Sequence, residues 1–225
     1  MDRLTRKALQ GVASLIFVLA IVLFGVPFTF DYWQAWLYLA VYAACALALT
    51  SYMIRHDPKL LERRMRGGPF AEKEPMQKII MVITSAGFAA MIGVPALDRR
   101  LGWSHVPPAV AILGDVMVVL GWLAIYFVFR ENSFTSATIE LAPDQTVIST
   151  GPYAHVRHPM YAGALPMLLG GPIALGSWWG VVPFLFVAPA LVWRIFDEER
   201  FLTEKLAGYA AYKQKVRYRL IPHLW

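Results

Sequence analysis

Residues 9–28 read L-Q-G-V-A-S-L-I-F-V-L-A-I-V-L-F-G-V-P-F, a run without a single charge. Wound as an α-helix, about 20 residues rise about 30 Å, the thickness of a bilayer's hydrocarbon core. Arg3, Arg6 and Lys7 precede the run, as in a signal peptide. But the run is long for a signal's apolar core and no small-residue cleavage site follows, so a retained first span is expected. Working outward, 33–54, 76–97 and 109–129 form three further apolar stretches. The chain is 58% hydrophobic and 16% charged, with mean hydropathy +0.50. That balance excludes an ordinary soluble domain and points to an all-α integral membrane protein.

The net charge of +6 would suggest nucleic acid in a soluble protein. Here the basic residues sit in loops between apolar runs and do not interleave with aromatics, so no nucleic-acid partner is expected. Cys45 is alone, which excludes an intrachain disulfide. The histidines are scattered and no paired-cysteine or H-E-x-x-H pattern occurs, so no metal is expected. Phosphate-binding G-x-x-x-x-G-K-[ST] and G-x-G-x-x-G patterns are missing too.

Loop charge sets the orientation. The N-terminus has three basic residues. The second connection (55–75) has Arg55, Lys59, Arg63, Arg64, Arg66 and Lys73. The first connection has none and the third has Arg99 and Arg100. The positive-inside rule makes the N-terminus and second connection cytoplasmic, and four spans return the chain to that side near Arg130. Asp31, Tyr32, Trp33 and Trp36 mark the opposite interface. Asp115, inside the fourth span, is expected to reach water at its non-cytoplasmic end. From 131 to 149 the chain is polar. Alternation at 138–140 and 146–148 allows a short β-hairpin over Pro143-Asp144-Gln145, or a solvated loop.

The least ordinary stretch is 150–163, T-G-P-Y-A-H-V-R-H-P-M-Y-A-G. Gly151-Pro152 reads as a turn. His158 is pushed toward extended backbone by Pro159, which suits the first position of a helix. Arg157 and His158 thus sit at the mouth of a helix that enters an apolar run, beside unpaired N–H groups that attract anions. Gly163 removes a side chain one turn in, where a ligand needs room. Gly170-Gly171-Pro172 and Gly176-Ser177 are expected to interrupt this helix, and 178–193 returns, closing a membrane hairpin. The polar helix that follows carries Arg194, Asp197, Glu198 and Glu199, and Gly208 ends it. Arg194 and Glu198 share a face. Glu198 and Glu199 differ by about 100°, so one of them aims at a given ligand atom. A basic, donor-rich cluster and an acidic one on the same side fit a zwitterion between them.

Gly151-Pro152-Tyr153, Arg157-His158-Pro159, Tyr161, Gly163, Arg194, Glu198-Glu199, Leu202, Gly208-Tyr209, Tyr212 and Pro222 together resemble the isoprenylcysteine carboxyl methyltransferase family. That family is related to phospholipid N-methyltransferases. The resemblance covers about residues 130–225; the first four spans match only in kind. It implies S-adenosyl-L-methionine as methyl donor, held by Tyr153, His158, Pro159, Tyr161, Gly163, Glu198 and Glu199. It also implies a lipophilic acceptor that comes from membrane lipids or the bilayer. Arg157 or Arg194 then pairs with an acceptor carboxylate or lipid phosphate, or Arg194 braces Glu198. The expected architecture is one membrane domain over 1–225. Its parts are four spans (1–130), then motif, helical hairpin and cytoplasmic cap (131–225), with both termini cytoplasmic. The leading reading is a methyltransferase acting on an isoprenylcysteine-like carboxylate. Its variants act on a phospholipid amine or a thiol, and an NADPH-dependent sterol-type reductase is the competitor from another class. Glu198-Glu199 speaks against the reductase, whose cofactor phosphate needs a basic pocket.

Overall fold

The computed structural model describes residues 2–67, 75–142 and 144–225. The described chain is helical, without strands. The helices are α1 (Arg3–Gly25), α2 (Trp33–His56), α3 (Pro58–Met65), α4 (Pro75–Leu101), α5 (Pro108–Glu131), α6 (Pro159–Ala174), α7 (Phe184–Lys205) and α8 (Tyr209–Lys215). Among the described residues, five segments are long and apolar enough to cross a bilayer: α1, α2, most of α4, α5, and Trp179–Lys205. The chain is therefore a multi-pass membrane protein. Large side chains such as Phe17, Leu185 and Phe186 stay exposed, as lipid-facing residues do.

Local sequence explains the helix ends. Asp2 caps α1 by accepting from the Thr5 N–H, and Asp57 caps α3 by accepting from Leu60 N–H with Pro58 at the first position. At one end of the bundle Ala8, Leu49, Met53, Leu60, Leu61, Val128 and Phe129 form a core, with Tyr153 and Met160 packed on it. We call this the motif end. At the far end Leu23, Phe24, Tyr32, Ala96 and Leu175 pack together. There the Tyr32 hydroxyl donates to the Leu175 carbonyl at 2.6 Å, and buried Asp98 accepts from Ser104 and Ser177.

α5 and α6 are the most intimate pair. A methyl built on Gly121 would lie 2.7 Å from the Gly163 carbonyl oxygen, and one on Gly114 2.7 Å from that of Gly170. Small residues let the backbones touch where the bilayer supplies no hydrophobic drive between helices. This corrects two expectations. Gly170-Gly171-Pro172 does not break α6; the glycines seat it against α5 and Tyr38, and the helix runs on to Ala174. Gly163 serves the α5 contact, its missing side chain facing Ala124, not a ligand. The actual break is at Gly176, whose φ of +75° only glycine adopts readily.

Two more expectations change. Among the described residues of 132–150 no strand forms; Pro143 and residues 68–74 lie outside the described residues. Side chains there satisfy the backbone locally. Asn132 accepts from Phe134 N–H, Ser136 from Thr138 N–H and Gln145 from Ala142 N–H, which competes with a ladder. Asp115 does not reach water. It is 4% exposed, and neither carboxylate oxygen has a hydrogen-bond partner among the described residues.

Candidate active site

The expected acidic and basic residues meet at the motif end. His158 caps the start of α6 in a non-helical conformation, and Pro159 occupies the first position. Just before it, Gly151–Ala154 makes a 3-10 turn, with Gly151 at φ +55° where Glu131 closes on it. The turn places Tyr153 against α5. Its hydroxyl accepts from Asn132 at 2.9 Å and its carbonyl from the Tyr212 hydroxyl at 2.8 Å. Burial raises the Tyr153 phenol above its ordinary range, so the ring stays neutral.

Glu199, on α7, is buried at 3% exposure and fully engaged. Arg157 Nε reaches its Oε1 at 2.6 Å, His158 Nε2 lies 3.3 Å from the same oxygen, and Arg219 Nε is 3.2 Å from Oε2. Arg157 also donates to the carbonyls of Val216 and Arg217, at 2.7 and 2.8 Å. The backbone N–H groups of Arg157 and His158 donate to Tyr218 and Arg219 carbonyls, both at 2.9 Å. The C-terminal segment is thereby strapped across the motif. The Arg219 guanidinium lies over the rings of Phe196 and Trp225, at 4.9 and 5.3 Å. The cluster is a charged lock that joins α6, α7 and the tail.

Glu198 has other surroundings. Its Oε2 accepts from the Tyr161 hydroxyl at 2.9 Å, while Oε1 has no hydrogen-bond partner among the described residues. It lines a cavity of about 390 Å³, within the range of small-molecule sites. Arg157, His158, Pro159 and Tyr161 line it as well, together with Tyr153, Tyr209 and Tyr212. Glu199 does not, and Gly163 lines a separate groove behind α6. Arg194 reaches the wall but its donors are committed. Nε goes to the Tyr161 hydroxyl at 3.1 Å, Nη1 to Gln77 Oε1 at 3.0 Å and Nη2 to the Ala137 carbonyl at 3.2 Å. Arg194 and Glu198 are thus linked through Tyr161. Gln77 in turn donates to Asp197 at 2.8 Å, pinning α4 to α7.

The cavity has two characters. Toward the loop it is polar, with Asn132, Thr135, Ser136 and Thr138. Toward the bundle it is apolar, with Met81, Phe88, Leu168 and Leu191. One group on the wall is left over. The Tyr209 hydroxyl is buried without a partner among the described residues. Buried hydroxyls are normally bonded, so this one is an unused donor beside the cavity. Among the described residues, no three His, Cys, Asp or Glu side chains gather as a metal site would require.

Residues 109–208 match the phospholipid methyltransferase family. The match spans α5, the connector, the motif, α6 and α7, so it contains both carboxylates, Arg157 and Tyr161. It stops short of the tail that supplies Arg219. No curated protein matches the chain. The matched family and the isoprenylcysteine family that the motif resembles are related membrane methyltransferases.

Sequence reasoning missed three contributors. Arg64 lines the cavity from α3, Gln77 arrives from α4, and Arg219 completes the lock from the tail. Arg64 stood in the sequence only as one of the basic residues that set orientation. Nothing local distinguishes it from Arg63 or Arg66.

Proposed function

We propose that the chain is an S-adenosyl-L-methionine-dependent methyltransferase whose acceptor partitions into the membrane. The observation that carries this reading is the cavity wall itself. It offers a carboxylate with a free oxygen, Glu198, and an orphaned hydroxyl, Tyr209, beside an apolar extension. A zwitterionic, nucleoside-bearing cofactor needs a carboxylate for its ammonium and neutral donors for its remaining polar groups, and these residues fit it. When bound, that cofactor supplies an activated methyl on a sulfonium.

Glu198 is the residue we assign to the cofactor ammonium, with Tyr161 fixing its rotamer. His158, Pro159 and Tyr153 form the adjoining wall. Glu199 and Arg157 act by position: they hold α6, α7 and the tail in register, so the wall keeps its shape. Arg194 braces Tyr161 and the 137 carbonyl. Methyl transfer demands alignment and exclusion of water more than proton chemistry; the charged lock serves the first and the apolar side of the cavity the second.

Two acceptor chemistries suit the site. A carboxylate is already ionised and requires no base. A phospholipid amine, which the matched family favours, must first lose a proton. The discriminating experiment is cofactor binding to the detergent-purified chain. S-adenosyl-L-methionine should bind and NADPH should not; the reverse result would replace the methyltransferase by a reductase.

A further inference from the structure

Arg64 is a cation on the cavity wall that neither the lock nor the cofactor wall explains. Arg64 reaches the cavity from α3. Its Nη1 donates to the Ser136 carbonyl at 2.9 Å and lies 3.7 Å from the Met160 sulfur. The guanidinium sits 5.3 Å over the Phe129 ring. Among the described residues Nε and Nη2 have no hydrogen-bond partner, and no carboxylate pairs with the group. A second cation, Arg194, acts against its charge. Burial pulls its pKa below the usual arginine value. Arg157, by contrast, is neutralised by Glu199, and the exposed Arg66 by Glu62.

A half-buried guanidinium without a counter-ion among the described residues is poorly compensated. Its planar fork matches the oxygens of a carboxylate or phosphate. Of the carboxylates on the wall, Glu198 is tied to Tyr161 and Glu140 to Ser136. We propose that Arg64 binds an oxyanion on the acceptor, a phosphate or carboxylate, and so selects anionic amphiphiles over neutral ones. The word acceptor rests on the methyltransferase reading; the anion site does not. The apolar wall of Met81, Phe88, Leu168 and Leu191 takes the tail of the same molecule. α3 lies outside the matched residues 109–208, so this selectivity belongs to the N-terminal half.

The test uses the full chain in a neutral detergent. Binding of dioctanoyl phosphatidic acid, of the neutral dioctanoylglycerol and of inorganic phosphate is measured for the parent, Arg64→Met and Arg64→Lys. S-adenosyl-L-methionine binding is measured on the same samples. The parent should prefer the anionic lipid by about tenfold or more, the scale of a charge-assisted bond. Arg64→Met, which keeps the volume against Phe129 and Met160, should bring that ratio to about one and leave cofactor affinity unchanged. Arg64→Lys should keep part of the preference, since it retains charge without the fork. An unchanged ratio in either variant overturns the proposal, as does a parent without preference. Loss of cofactor affinity in Arg64→Met also overturns it, by assigning Arg64 to the cofactor. Inorganic phosphate binding as tightly as the lipid would mean a free-anion site and overturn it too. If the parent binds no S-adenosyl-L-methionine, the methyltransferase reading falls, while the lipid ratio still decides Arg64.

Discussion

Glu198 and Glu199 are neighbours with opposite environments, and the difference can be measured. Glu199→Gln removes the one anion that Arg157 and Arg219 share. Breaking a buried pair from one side strands the other charge and costs about 3–5 kcal/mol. Glu199→Gln should therefore lower unfolding stability in detergent by about that much. Glu198→Gln should leave stability near the parent but weaken S-adenosyl-L-methionine binding about 10- to 100-fold, the worth of a charge-assisted hydrogen bond. Denaturation and calorimetric titration of both variants check this; a cofactor loss confined to Glu199→Gln, with stability intact, would reverse the assignment. The 100° between the two side chains was legible in the sequence. Which of them the arginines would claim was not. Glu199 is claimed by Arg157, 42 residues earlier, and by Arg219, 20 residues later, and only the folded tail brings them together. Arg64 was hidden for the same reason, since its role depends on where α3 docks.

At the scale of elements, the α5–α6 crossing is the scaffold of the site, because α6 presents His158, Pro159 and Tyr161 from its first turn. Gly121 and Gly163 set that crossing. A methyl on Gly121 would meet the backbone oxygen of Gly163, which cannot swing aside. Gly121→Ala should cost about 1–3 kcal/mol, the range of overpacked contacts, and reduce cofactor affinity by displacing α6. Gly93, on α4, has open space around its Cβ direction and supplies the control. Gly93→Ala should unfold like the parent. Equal stability of the two variants would show that the close approach does not hold α6. The helices themselves were legible as long uncharged runs, and the turn at Gly176 as a glycine signal. The crossing was not, because a glycine beside a motif reads equally well as space for a ligand or for a neighbouring helix. Likewise the connector's alternation suggested strands, whereas its Asn, Ser and Gln side chains bond the backbone at short range.

For the whole molecule, the charge pattern and the bundle agree on sidedness. Arg3, Arg6, Lys7, Arg55, Lys59, Arg63, Arg64 and Arg66 lie on elements at the motif end, and Arg99 and Arg100 at the far end. We predict that the motif end, with both termini, faces the cytoplasm. In a Cys45→Ala background, Glu62→Cys and Gln214→Cys should be labelled only from the cytoplasmic side and His105→Cys only from the other. From that orientation follows a prediction about the acceptor's route. The cavity's polar wall lies at the motif end, among residues 132–138, and its apolar wall lies along α4, α6 and α7. An acceptor with an apolar tail is concentrated in the bilayer and gains about 0.8 kcal/mol for each buried CH₂, about fourfold in binding. The reacting head group then needs only to rise to Glu198 and Tyr161, without leaving the membrane. Methyl transfer at a fixed head group should accordingly increase steeply with tail length, then level off once Met81, Phe88, Leu168 and Leu191 are covered. Replacing Leu168 by Trp should shorten the tail at which the plateau begins while leaving S-adenosyl-L-methionine affinity unchanged. The measurement is initial rate in liposomes against a series of tails, with acceptor concentration expressed per lipid. A rate independent of tail length, or highest for a water-soluble analogue, would mean that the acceptor reaches the cavity from the cytoplasmic loops and that the apolar wall only packs the helices.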